Sequence, residues 1–269
     1  MKKVLEVCVD SLASARAAIA GRADRLELCS ALSVGGLTPY TPLLRQIRAE
    51  SDIEIRCLMR HRAGDFLYSP EELELLRLQI LELKEAGADG FVIGCLTPEG
   101  ALDLEAMKPL VDACGDCGIT LHRCIDVSAD LEQTYRDAMA LGIDTILTSG
   151  GASSCKLGFE QISRLAALRD ECSGPEILVG AGVNAAVIAD FRQKCPALRA
   201  FHMSGKTELE SGMTFRREGV PMGLPGLDEW HIQQTDPEAV RAARAALDAY
   251  PGKFPASSGF PGSSIVLFE

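Results

Sequence analysis

No stretch of this 269-residue chain stays apolar long enough to cross a bilayer, because Asp, Glu, Arg or Gly interrupts every candidate run. A secretory leader is not expected either. Met1-Lys2-Lys3 has the charge of one, but Glu6 and Asp10 break the apolar segment that has to follow. A basic surplus is also missing: 27 Lys and Arg stand against 38 Asp and Glu, a formal net charge of −11. That balance works against nucleic acid and anionic membranes as partners, since phosphate contacts need clustered cations. The expectation is a soluble, cytoplasmic protein with neither partner. A second C-x-x-C is absent too, and the single one, Cys114 to Cys117, is too weak a motif to carry a redox assignment. The ten cysteines therefore read first as reduced thiols that fill space like small hydrophobes.

What the chain does contain is a regular alternation. Short β-rich runs at 4–9, 25–29, 53–59, 90–96, 119–125, 145–149, 176–179 and 199–204 are separated by amphipathic helical stretches. Eight such units over 269 residues, 47% of them hydrophobic, predict one closed (β/α)8 TIM barrel over 1–249 rather than an open sheet. A degenerate repeat, glycine followed closely by aspartate and then a strand, recurs at Gly21/Asp24, Gly87/Asp89 and Gly142/Asp144. The glycine is expected to take the left-handed position that stops a helix. Ser69-Pro70-Glu71-Glu72 and Asp236-Pro237 mark helix starts. Two segments depart from the pattern. Residues 205–235, with Met213, Phe215, Arg216 and Arg217, form a long connection after the eighth strand that reads as a lid, a subunit contact or a plain surface excursion. The Pro/Gly/Ser-rich tail, 250–269, reads as a flexible arm with an apolar tip at Ile265-Val266-Leu267-Phe268, or simply as a disordered tail.

In a parallel barrel the outward side chains meet helices, so charged residues at alternate strand positions are expected to point inward. That rule selects Glu6, Cys8 and Asp10 on the first strand, Glu27 and Cys29 on the second, and Arg56 and Arg60 on the third. It adds Thr120, His122, Cys124 and Asp126 on the fifth, and His202 and Ser204 on the eighth. The C-terminal ends of the strands are where barrel enzymes keep their sites. Two readings stand for the deeper charges. Glu6, Glu27 and Arg56 either neutralise one another as a buried network or belong to a working site. His122 and Asp126 are either a core histidine and a capping aspartate or, nearer the rim, an acid/base pair. Arg60 and Arg62 are candidates for an anion clamp. The glycine turns at Ser149-Gly150-Gly151, Gly180-Ala181-Gly182 and Ser204-Gly205, with Asn184 as an N-cap, suit an anion site or merely tight turns.

The most specific local feature is a repeated tripeptide, Glu6-Val7-Cys8 and Glu27-Leu28-Cys29. On neighbouring strands about 4.8 Å apart, two inward thiols at one depth can share a soft ion such as Cu(I). The plainer alternative is two small side chains filling a tight layer.

At these residues the chain resembles the CutC family of copper homeostasis proteins. The resemblance runs to about Gly223 through Glu6-Val7-Cys8-Val9-Asp10-Ser11, Ala23–Cys29, Gly35–Pro39, Arg60–Phe66, His122-Arg123, Leu147–Gly150 and Ser211-Gly212-Met213. His61, Ala63 and Cys124-Ile125 stand where the family usually has Pro, Gly and Ala-Phe. The resemblance implies a cytoplasmic, commonly homo-oligomeric barrel with copper at Cys8 and Cys29. The other reading is a barrel enzyme for a small anionic metabolite, working through His122, Asp126, Glu6 and Glu27. Its ligand contacts would be Arg56, Arg60, Arg62, Ser149, Gly182, His202 and Ser204.

Overall fold

The structure, a computed structural model, describes residues 3–249 except 218, 221, 224, 225 and 227, so the tail at 250–269 lies outside the described residues. Strands β1 (Val4–Val9), β2 (Arg25–Leu28), β3 (Glu54–Leu58), β4 (Gly90–Ile93), β5 (Gly118–Leu121), β6 (Thr145–Thr148), β7 (Glu176–Val179) and β8 (Ala200–Met203) close into one parallel barrel, β8 pairing with β1. Helices α1 (Leu12–Ala20), α2 (Thr41–Glu50), α3 (Pro70–Glu85), α4 (Leu104–Cys114), α5 (Leu131–Ala140), α6 (Phe159–Cys172), α7 (Ala185–Lys194) and α8 (Pro237–Asp248) surround it. The expected (β/α)8 barrel is present.

Alternation sorts the side chains. Leu5, Val7, Val9, Leu26, Leu28, Ile55, Cys57, Phe91 and Ile93 join the large apolar cluster between sheet and helices. Their neighbours in sequence fill the barrel itself, where Cys8, Cys29, Leu58 and Val92 form one small cluster and Leu147, Leu178 and Ala200 another. Charged residues occupy the rest of that interior, so the site is set among polar groups that must satisfy one another.

The Gly–Asp repeat has a mechanical role at the N-terminal end of the barrel. Asp24, Asp89 and Asp144 precede β2, β4 and β6, and each accepts the backbone N–H of the strand before: Leu5 at 2.7 Å, Ile55 at 2.8 Å and Ile119 at 2.5 Å. Arg244, Arg48 and Arg56 neutralise them in turn. Gly87 and Gly142 take the expected left-handed conformation, with φ of 100° and 77°. Gly21 does not: its φ is −77°, and Arg22 adopts the left-handed turn instead, at 70°. Close packing explains the glycine, since a Cβ there would lie 2.5 Å from Val240 Cβ of α8.

Helix starts follow the sequence signals. Ser69 and Glu72 form a reciprocal capping box at α3, Asp236 accepts from Glu238 N at α8, and Asn184 from Val187 N at α7. Two expectations change. The fifth strand ends at Leu121, and Arg123–Val127 coils into a 3-10 turn, which takes Cys124 and Asp126 off the strand face. His122 ends the strand by accepting Cys124 N on Nδ1 at 3.2 Å. The connection after β8 contains an antiparallel hairpin, β9 (Lys206–Glu210) and β10 (His231–Thr235), whose first strand is exposed throughout. Arg216 pairs with Glu210 and stacks over Trp230 within it.

Candidate functional site

Strands β8, β1 and β2 bring His202, Glu6, Cys8 and Glu27 together inside the barrel. The register makes this inevitable: His202 is level with Glu6, and Cys8 is level with Glu27. Glu6, without exposed surface, accepts Arg25 Nε at 2.5 Å and meets His202 Nδ1 at 2.8 Å. The other ring nitrogen, Nε2, stands 3.7 Å from Glu27 Oε2. Ligand-capable atoms of Cys8, Glu27 and His202 all lie within 4.8 Å of one another, the one such group of His, Cys, Asp and Glu among the described residues.

Electrostatics divides the two carboxylates. Burial works to raise Glu6, but the Arg25 charge and then the His202 hydrogen bond overcome it and hold Glu6 at about 2. Glu27 is raised, chiefly by burial, with the charge of Glu6 adding to the effect and His202 opposing it. Burial works to lower His202, yet the charges of Cys8 and Glu27, with hydrogen bonds to Cys8 and Glu6, carry it well above the ordinary imidazole value. The imidazole thus lies between two carboxylates and a thiol.

Cys29 belongs to the neighbourhood but stands one step off. Barrel stagger puts Cys8 beside Glu27, not beside Cys29, so the two thiols are not at the matching depth expected from the tripeptide repeat. Cys29 instead packs in one small cluster with Cys8 and points its sulfur at Glu27 Oε2, 3.5 Å away. Burial first, then the charges of Glu27 and Cys8, push its thiol well above its ordinary value. Burial also lifts Cys57, Cys95 and Cys114 to about 12, which marks them as inert packing groups.

The remaining candidates fall into separate places. Arg56 reaches across the lower barrel to Glu54, Asp144, Thr120 and Thr145, among residues at the N-terminal ends of strands. It therefore neutralises partly exposed acids at the N-terminal end of the barrel, away from the rim. Arg62 is taken up at the surface by Glu72 and Asp65, away from an anion-clamping position beside Arg60. Arg60 lies buried under the loop after β3, bonded to the carbonyls of Val34, Gly36 and Gly64. Asp126 binds the β6 loop, accepting from Thr148 Oγ1, from Ser149 N and Oγ, and from Gly151 N, with Arg123 paired to it at 2.7 Å. His122 is bonded to Cys124 N instead of Asp126, and burial, reinforced by Arg60, lowers it to about 3. Gly182 lies in the loop after β7 with φ of 84°, and Ser204 accepts from Thr235 through its carbonyl. Arg25, Phe66 and Arg123 were not singled out from sequence. Alternation from Glu27 points to Arg25, whereas Phe66 and Arg123 are marked only as members of the motifs that carry the family resemblance.

Comparison with known proteins adds a relationship to this geometry. The model of the CutC family matches residues 3–207. The chain is similar to the family protein CutC of Chromobacterium violaceum, 38% identical over 249 residues that cover 92% of this chain and 99% of that one. It is also similar to the crystal structure of the putative copper homeostasis protein CutC from Streptococcus agalactiae, with 27% identity, a TM-score of 0.70 and coverage of 75% of this chain and 98% of the other. A putative phosphonomutase from Burkholderia cenocepacia, 18% identical with a TM-score of 0.53 over 75% of this chain and 86% of its own, shares the fold alone.

Proposed function

We propose, from the premise that this chain belongs to the CutC family, that it serves copper homeostasis by binding one copper(I) ion as cargo at Cys8 and His202, beside Glu27. One observation carries the reading: three donors of the right kinds lie within 4.8 Å of one another. Thiolate and imidazole are donors that Cu(I) favours, while a carboxylate oxygen is harder and contributes less. Glu6 strengthens the fit. A carboxylate on Nδ1 fixes the tautomer and leaves Nε2 as the ligand nitrogen, the arrangement usual for metal-bound histidines. Loading then releases the proton from His202 and the proton of any ligating thiol. Cys29 is the neighbouring second thiol, held by its hydrogen bond to Glu27 until the ion arrives.

The same donor set is within reach of zinc, which takes Cys, His and carboxylate ligands. Anaerobic Cu(I) titration against a competing chelator, repeated with Zn(II), separates the two. The expected result is tight Cu(I) binding, lost in Cys8→Ser and in His202→Gln, partly retained in Cys29→Ser and unchanged in Cys114→Ser. Equal Cu(I) affinity in wild type, Cys8→Ser and His202→Gln would overturn it. The setting belongs with this reading: a reducing cytoplasm, in which all ten cysteines stay unpaired, and a homo-oligomer that light scattering would reveal.

One observation favours a second reading, a barrel enzyme acting on a small anionic metabolite. His202 bridges Glu6 and Glu27 on the strands of a barrel interior, which is an arrangement able to shuttle a proton. Absence of both turnover and thermal stabilisation across a broad metabolite panel would remove it.

A further inference from the structure

Six buried side-chain nitrogen and oxygen atoms lack a hydrogen-bond partner among the described residues, and Arg60 Nε, His61 Nδ1, Tyr68 OH and His122 Nε2 account for four of them. Ring contacts tie these four to the loop after β3: Arg60 and His122 both meet Phe66, and His61 meets Tyr68. Native proteins leave few buried polar groups unpaired, so a concentration in one corner calls for a partner.

Arg60 and His122 give that partner a charge and a geometry. Arg60 is 9% exposed, and its bonds end on backbone carbonyls rather than on a carboxylate. The buried arginines Arg25, Arg56, Arg169 and Arg244 each pair with an acid, and Arg192 holds the carbonyl end of α8. Arg60 thus carries a positive charge that no described side chain neutralises. His122 is 4% exposed and accepts Cys124 N on Nδ1, which puts its proton on Nε2 as a donor without an acceptor. Gly94, just after β4 and between them, leaves room for the His122 ring, because a Cβ there would lie 2.5 Å from His122 Cε1. Phe66 stands against both groups, 5.4 Å from the Arg60 guanidinium carbon and 4.6 Å from the His122 ring centre.

We infer that this corner of the barrel mouth binds a small monocarboxylate, with Arg60 supplying the charge, Arg60 Nε–H and His122 Nε2–H the donors, and Phe66 the ring that the ligand displaces. One uncompensated charge beside a neutral imidazole matches a single negative charge, whereas a phosphate dianion would remain half-neutralised. Each of the two unpartnered N–H groups can donate to a carboxylate oxygen. The site uses residues after β3 and β5, beside the β1 and β2 thiols but sharing none of the atoms of the Cys8, Glu27 and His202 group.

The test uses the full chain with sodium acetate and sodium glycolate as probes, and sodium chloride and sodium phosphate at equal ionic strength as controls. Thermal unfolding and the nitrogen-15 imidazole spectrum are read together. The expected result is saturable stabilisation by a carboxylate and a downfield shift of the His122 Nε2–H signal. Apparent affinity should fall about tenfold or more in Arg60→Met and in His122→Phe, and persist in Cys8→Ser. No saturable effect, undiminished binding in Arg60→Met, or tighter binding of phosphate than of both carboxylates would overturn the inference. If the variants fail to fold, an unshifted His122 signal in wild type at high carboxylate, as ordered water on the two donors would give, overturns it equally.

Discussion

Take the guanidinium from Arg25 and Glu6, which has no exposed surface, keeps only His202 as a hydrogen-bonded side-chain partner. Breaking a buried pair from one side costs about 3–5 kcal/mol, so Arg25→Met should lower urea stability by that order. A loss below about 1 kcal/mol would mean that His202 alone holds the carboxylate. His122 offers a second test at this scale, through pH. Burial lowers its value to about 3, against about 6.5 in the unfolded chain. Between those values the unfolded chain takes up a proton that the native protein excludes. Its contribution to stability is therefore present above pH 6.5 and lost as pH falls toward 3. The stability of His122→Phe should decline less steeply than wild type across that interval, by up to about 1.4 kcal/mol per pH unit. Parallel curves would place the proton elsewhere. Alternation made the inward set Glu6, Cys8, Glu27 and His202 readable in advance. Which of them touch was not readable, because partners 19 and 196 residues apart meet only through closure and stagger of the strands.

At the scale of elements, glycines on β4 and β5 decide where Arg56 can lie. A Cβ at Gly118 would come within 2.5 Å of Arg56 Nη2, and one at Gly90 within 2.8 Å of its Cγ. Gly118→Ala should displace the guanidinium from Asp144 and cost about 1–3 kcal/mol, the usual penalty for overfilling a packed interior. An unchanged denaturation midpoint would show that the arginine relocates freely. Helix starts were legible because a capping box and a first-turn proline are local signals, as at Ser69-Pro70. The end of β5 was not. The sequence continues to alternate through His122, Cys124 and Asp126, while the turn that stops the strand depends on Asp126 reaching Thr148 and Ser149 of another unit. The β9–β10 hairpin escaped for a different reason, since its strands are polar and exposed and lack the apolar rhythm of the barrel strands.

Over the whole molecule the barrel interior holds two groups of side chains. Strands β8, β1 and β2, with Cys29 just after β2, contribute Glu6 and its partner Arg25, Glu27, two thiols and an imidazole, whereas β3 and β5 lead into Arg60 and a neutral His122. The eight-fold architecture was legible from length and alternation, and the family from short motifs spread along the chain. Beside the cysteine pair expected from the tripeptide repeat, strand register and side-chain distances bring Cys8, Glu27 and His202 together. Copper K-edge absorption of the anaerobically loaded full chain tests that group most directly. The expected spectrum contains both sulfur and imidazole nitrogen in the first shell, with the imidazole signature lost in His202→Gln and the sulfur diminished in Cys8→Ser. A shell of sulfur only, unaltered by His202→Gln, or one without sulfur, would contradict it.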